Sequence, residues 1–159
     1  MTAIHKTLCK RGLLGLMACG MCFTVLASEY ERRVDLLDAY KQECSACHTA
    51  YSPAMLGAAS WQRIMSGLDR HYGVDASLDA KTLTEVSRWL QGHAGTSRKV
   101  SVAPPEDRIT RSAWFEREHR KVPDAVWKRA SVRGPAQCAA CHTRADQGDY
   151  DEDHVRIPR

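Results

Sequence analysis

Apolar residues along this chain recur at helical spacing, in short runs separated by turn-forming residues. Val34, Leu37, Ala39 and Tyr40 form one stripe behind Ser28, a capping residue, with Glu29 and Glu31 in the first turn. A helix from Ser28 to Glu43 is predicted. Tyr51-Ser52-Pro53 breaks that pattern, and 53–59 reads as a loop. Ser60 then caps a second predicted helix, whose Trp61, Ile64, Met65 and Leu68 share a face that His71 continues before Gly73 ends it. A third helix is predicted from Ser77, with Asp79 in its first turn and Leu78, Leu83, Val86, Trp89 and Leu90 on its buried side. Gly92 or Gly95 terminates it.

The pattern weakens after that. Residues 96–107 hold Pro104-Pro105 and little apolar character, which reads as a linker. Ser112 caps a short predicted helix to about Lys121, with Trp114, Phe115, His119 and Val122 on its apolar side and Pro123 as its stop. Another is predicted near Ala125–Ala130, before Gly134-Pro135. The acidic run Asp149, Asp151, Glu152 and Asp153 reads as an irregular, solvated tail. No segment alternates as a strand does, so the fold class expected is all-α.

The start of the chain changes the arithmetic. Lys6, Lys10 and Arg11 precede an uncharged, mostly apolar run from Gly12 to Leu26, and Val25-Leu26-Ala27 ends in a small residue. This is the layout of a cleaved signal peptide over residues 1–27. Gly12 to Ala27 falls short of the roughly 20 residues a membrane span needs. Lipidation at Cys19 ranks below simple secretion, because the apolar run continues past it. The product expected is periplasmic, with no transmembrane segment in the mature chain.

Without the leader, the charge is 20 − 19 = +1 rather than the +4 of the full chain. The basic excess therefore belongs largely to the leader and gives no reason to expect nucleic-acid binding. Three of the seven cysteines also go. The remaining four all lie within Cys44-Ser45-Ala46-Cys47-His48 and Cys138-Ala139-Ala140-Cys141-His142.

Cys-x-x-Cys-His is the attachment signature of c-type haem: two thiols add across the porphyrin vinyl groups, and the adjacent histidine is placed to ligate iron. Two pairs of cysteines could alternatively form a Cys₄ zinc site, although zinc does not explain a histidine after each pair. A thioredoxin-like dithiol requires a βαβ pattern that is absent. Two covalently bound haem c groups are expected, with Cys44, Cys47, Cys138 and Cys141 as attachment points and His48 and His142 as proximal ligands. The mature chain, 159 − 27 = 132 residues, is short for two such rings. The haems should therefore complete the core, leaving the apoprotein poorly folded.

The opposite face of each iron decides the chemistry. A second His or a Met closes the iron for electron transfer, whereas a vacancy admits ligands. His71 and His119 are the favoured distal ligands, each beside an apolar face near a haem motif. His93 competes, though its place fits a helix C-terminus; His154 sits in the acidic tail. Met65 and Met55 are further candidates, with core packing the commoner role for methionine. Arg70, Arg108 and Arg111 are candidates to pair with propionates, and the Trp and Tyr residues read as haem-pocket packing. One open iron would instead make a haem enzyme or gas-binding sensor.

Several blocks together resemble the bacterial dihaem cytochrome c family, small proteins that donate electrons to a high-spin, oxygen-binding cytochrome c. They are Cys44–His48, Ser60-Trp61, His71-Tyr72-Gly73, Ala76-Ser77-Leu78-Asp79, Pro104-Pro105, Arg108-Ile109-Thr110, Arg117-Glu118-His119, Cys138–His142 and Ile157-Pro158. The resemblance implies a class I cytochrome c-like N-terminal haem domain (28–96) and a smaller, largely irregular C-terminal one (97–159). It also implies bis-histidine coordination at both irons, with His71 and His119 matching the distal ligands; sequence proximity pairs them with the first and second haem, and the crossed pairing is the alternative. The function implied is a low-potential one-electron carrier, not an enzyme. Its partner would be another redox protein, such as a high-spin cytochrome c or a membrane cytochrome.

Overall fold

The structure, a computed structural model, describes residues 35–159. The leader, Cys19 and the Ser28–Val34 part of the first predicted helix lie outside them. The described chain is helical: α1 (Asp38–Cys44), α2 (Ala58–Met65), α3 (Ala80–Gly92), α4 (Ala113–His119) and α5 (Asp124–Trp127), joined by short 3₁₀ turns. Among the described residues there is no strand. Isolated bridges pair His71 with Val74, His142 with Val155 and Arg144 with Asp149.

The main core is built by α1, α2 and α3. Tyr40, Trp61, Met65, Val86 and Leu90 meet Ala50, Leu56 and Ile109 there, with Val86 and Leu90 fully buried. Burial of each large apolar side chain stabilises the fold by about 1.5–3 kcal/mol. The Trp61 indole N–H, which water cannot reach, donates to the Pro53 carbonyl at 2.7 Å. Asp79 is the N-cap of α3 rather than a first-turn residue: its Oδ1 accepts from the N–H groups of Lys81 and Thr82. Ser112 caps α4 as expected, its Oγ accepting from the Phe115 N–H while its hydroxyl donates to the Ile109 carbonyl.

Three further expectations need correction. The second helix does not run to His71. It starts one turn earlier, with Gly57 as N-cap, and stops at Met65, since Ser66-Gly67 is a poor continuation for a helix. A separate 3₁₀ turn, Leu68–Arg70, carries the chain on to His71. The turn after it uses positive φ at Tyr72 and Gly73, and the Ala76 N–H closes it by donating to the Leu68 carbonyl.

Residues 96–107 are not a loose linker. Val100 and Pro104 are buried, and the segment is strapped to the first half of the chain. Asp107 accepts from Nε and Nη2 of Arg63 at 2.8 and 2.6 Å, and the Tyr72 hydroxyl donates to the Glu106 carbonyl.

The acidic tail is not simply solvated. Asp149 is only 4% exposed, with Nδ1 of His154 3.1 Å and the Arg144 guanidinium 3.8 Å from its carboxylate. Backbone bonds from Thr143 to His154 and from Arg156 to Cys141 fold the tail back over the second Cys-x-x-Cys-His.

Candidate haem sites

The first cysteine pair closes α1 and opens the turn that follows it, Cys44 half-buried and Cys47 exposed. Beyond it, the imidazole of His48 faces that of His71, delivered by the Leu68–Arg70 turn. Their ring centroids are 6.2 Å apart and their planes 24° from parallel. The second pair lies on a 3₁₀ turn, Cys138–Ala140. Its His142 faces His119, the last residue of α4, with centroids 6.1 Å apart and planes at 68°. Histidines 23 residues apart in each case are thereby brought to about 6 Å between ring centroids.

Hydrogen bonding selects which ring nitrogen points where. A carbonyl oxygen only accepts, so Nδ1 of His48 donates to the Thr49 carbonyl (2.8 Å) and Nδ1 of His119 to that of Phe115 (2.9 Å). Each leaves Nε2 as the basic nitrogen, the arrangement that orients metal-bound histidines. His71 is held below the ordinary histidine range by burial first, then by the nearby His48 and Arg108 charges. Burial, then His119, does the same to His142 against the opposing pull of Asp149. Both rings are thus biased toward the neutral, ligating form.

The four described thiols are free of disulfides. Burial pushes Cys44 and Cys138 up to about 11 and raises Cys141 as well. A reactive redox dithiol needs the opposite shift. Among the described residues no three His, Cys, Asp or Glu side chains gather into a metal-holding group, which removes the Cys₄ zinc alternative.

Other candidates stand apart. His93 is exposed, its Nδ1 donating to the Trp89 carbonyl in the last turn of α3. Met65 is a core side chain, and Met55 packs at the edge of that core. Arg108 lies 4.1 Å over the Tyr72 ring and, with Arg111, pairs with Glu106. Arg70 lies near Asp69.

Aromatic rings line both histidine pairs. Tyr51 stacks on His48 (4.7 Å, 16°), and Phe115 stacks on His119 (4.0 Å, 20°). Trp127 and Tyr150 flank the second pair. The sequence assigns the Trp and Tyr residues to haem-pocket packing, but spacing alone does not reveal that Tyr51 stacks on His48 and reaches toward Cys138.

The residues fit haem on two counts. First-row metal–imidazole bonds of about 2 Å on each side, plus the ring radii, set opposed imidazole centroids about 6 Å apart. Both pairs stand at that separation. Beside His142, which lies 5.4 Å from the Tyr150 ring, the Tyr150 hydroxyl is buried without a hydrogen-bond partner, a donor that a ring bearing carboxylates can satisfy.

Comparison with known proteins agrees. The family profile described as dihaem cytochrome c matches residues 40–150. The chain belongs to the dihaem cytochrome c family. Among solved structures, the cytochrome is similar to the dihaem cytochrome c of Shewanella baltica, with 34% identity over 76% of this chain and 92% of that one and a TM-score of 0.67. It is also similar to a dihaem cytochrome c of Rhodobacter sphaeroides, with 36% identity over 74% and 99% of the two chains and a TM-score of 0.64. No curated protein matches it by sequence search. The protein is an electron-transfer haem protein carrying two c-type haems. No helix among the described residues is long and apolar enough to cross a membrane.

Proposed function

We propose that both irons are closed by two histidines and that the cytochrome is a low-potential one-electron carrier. His48 and His71 ligate the first iron, and His142 and His119 the second. Cys44 with Cys47, and Cys138 with Cys141, hold the two porphyrins through thioethers. The observation that carries this reading is the pair of opposed imidazoles at 6.2 and 6.1 Å. When bound, the haems supply reversible one-electron chemistry.

The chain's own residues keep that chemistry to electron transfer. Opposed imidazoles leave no iron face for a substrate, so the protein carries electrons rather than completing a reaction. Two nitrogen ligands give a lower potential than a His/Met pair, in which thioether ligation raises it. The Nδ1–H bonds to Thr49 and Phe115 fix ring orientation, so little rearrangement accompanies a change of oxidation state.

The carrier works in the periplasm after removal of residues 1–27. It exchanges electrons with a partner redox protein, such as a high-spin cytochrome c or a membrane cytochrome. Its halves, 28–96 and 97–159, bear one haem each. Carbon monoxide added to the reduced holoprotein tests the reading: the Soret band should stay unchanged, and a prompt stoichiometric shift overturns it.

A further inference from the structure

Tyr51 touches both haem-binding segments. Its ring stacks on His48, 4.7 Å between centroids and 16° between planes. Its hydroxyl donates at 2.7 Å to the carbonyl of Ala136, two residues before Cys138. The main chain that carries Tyr51 is itself held in place. The hydroxyl of Tyr40, a core residue 2% exposed, donates to the Tyr51 carbonyl at 2.9 Å. Burial keeps the Tyr51 phenol protonated above its ordinary range.

These contacts make a continuous route: imidazole of His48, phenol ring of Tyr51, hydrogen bond, the Ala136 carbonyl, and two peptide units to Cys138. On the ligand assignment proposed above, on which this inference rests, one end is an axial ligand of the first iron and the other an attachment sulfur of the second haem.

We propose that Tyr51 is a positioning residue for both haems and that its hydrogen bond to Ala136 is a principal coupling route for electron exchange between them. In the half-reduced protein one electron leaves the reduced haem and arrives at the oxidised one. No bond forms or breaks, and Tyr51 remains a neutral phenol throughout.

The test uses holoprotein with Tyr51→Phe, which keeps the stacked ring and removes the donor. Exchange between the haems is read from haem-methyl NMR line shapes of half-reduced samples. The expected result is a severalfold slower exchange, with optical spectra still those of low-spin, six-coordinate haem. Tyr51→4-aminophenylalanine, whose N–H can donate to the same carbonyl, should restore the rate. A wild-type rate in Tyr51→Phe overturns the proposal, and so does a slowed rate that the amino variant leaves unrestored. Should Tyr51→Phe fail to take up haem, the amino variant is set against Tyr51→Leu in the same measurement, equal rates overturning the proposal. High-spin or carbon monoxide-reactive wild-type protein defeats the ligand assignment instead, so the two failures are distinguishable.

Discussion

His48 and His71 present their imidazoles 24° from parallel, whereas His119 and His142 stand at 68°. With these histidines on the irons, the two centres are electronically different. Nearly parallel rings donate to the same iron d orbital and split it from its partner; steeply crossed rings donate to both and leave them close in energy. The ferric protein should therefore give two low-spin electron paramagnetic resonance signals of equal intensity. One is rhombic, and the other has its largest g value well above that of the first. A single superimposed species would contradict the geometry.

Removing either distal histidine should open one iron only. His71→Gly and His119→Gly are each expected to bind one carbon monoxide per reduced protein, against none for the wild type. The Soret change should involve about half the haem absorbance. Electron paramagnetic resonance of the two ferric variants identifies which centre was opened. His71→Gly should lose the rhombic signal and His119→Gly the other, which also tests the uncrossed pairing.

How much of this was legible in the sequence depends on distance along the chain. His48 and His142 follow from a five-residue motif, and the cap at Ser112 from local chemistry; Asp79, expected in the first turn of a helix from Ser77, is instead the cap. His71 and His119 are candidates as matches to family blocks and because each belongs to a predicted apolar helix face. As to the helices alone, His119 does lie on one, the last residue of α4, whereas His71 lies beyond the end of α2 at Met65. The strap formed by Arg63 and Asp107 spans 44 positions, and the Tyr51 to Ala136 bond spans 85. Neither has a local signature. The acidic run near the C-terminus misled for a related reason: charge pattern favours solvation, and only folding over Cys141 and His142 buries Asp149.

The Arg63–Asp107 pair gives a pH dependence with a defined sign. The hydrogen bonds from Arg63 hold Asp107 below the ordinary carboxylate value of 3.8. A carboxylate depressed on folding stabilises the protein above its unfolded pKa, and that contribution drains as pH falls through its folded pKa. Arg63 is half exposed, so screening keeps the effect small. Holoprotein Asp107→Asn should melt below the wild type at pH 7, and the gap should close as pH drops below about 4. Paired thermal melts across that range check it; a gap that is constant or widens in acid contradicts the assignment.

Gly95 is a close approach rather than a turn requirement. Its N–H donates to the Leu56 carbonyl at 2.8 Å, and a Cβ there would overlap the Ala54 carbonyl oxygen and lie 2.7 Å from Cγ2 of Val100. The obstructing oxygen belongs to the backbone of the 3₁₀ turn Pro53–Met55, which also supplies the acceptor for Trp61, so it has little freedom to move away. Gly95→Ala should cost about 1–3 kcal/mol, the usual range for overpacking a close-packed site. Gly92, at the end of α3, has open space where a Cβ would stand, and replacing a helical glycine by alanine removes a backbone entropy cost of up to about 1 kcal/mol. Denaturant unfolding of the two holoprotein variants should therefore move the midpoint in opposite directions, Gly95→Ala downward and Gly92→Ala level or upward. Equal behaviour would mean that the packing of residues 53–55 against Gly95 and Val100 contributes nothing specific.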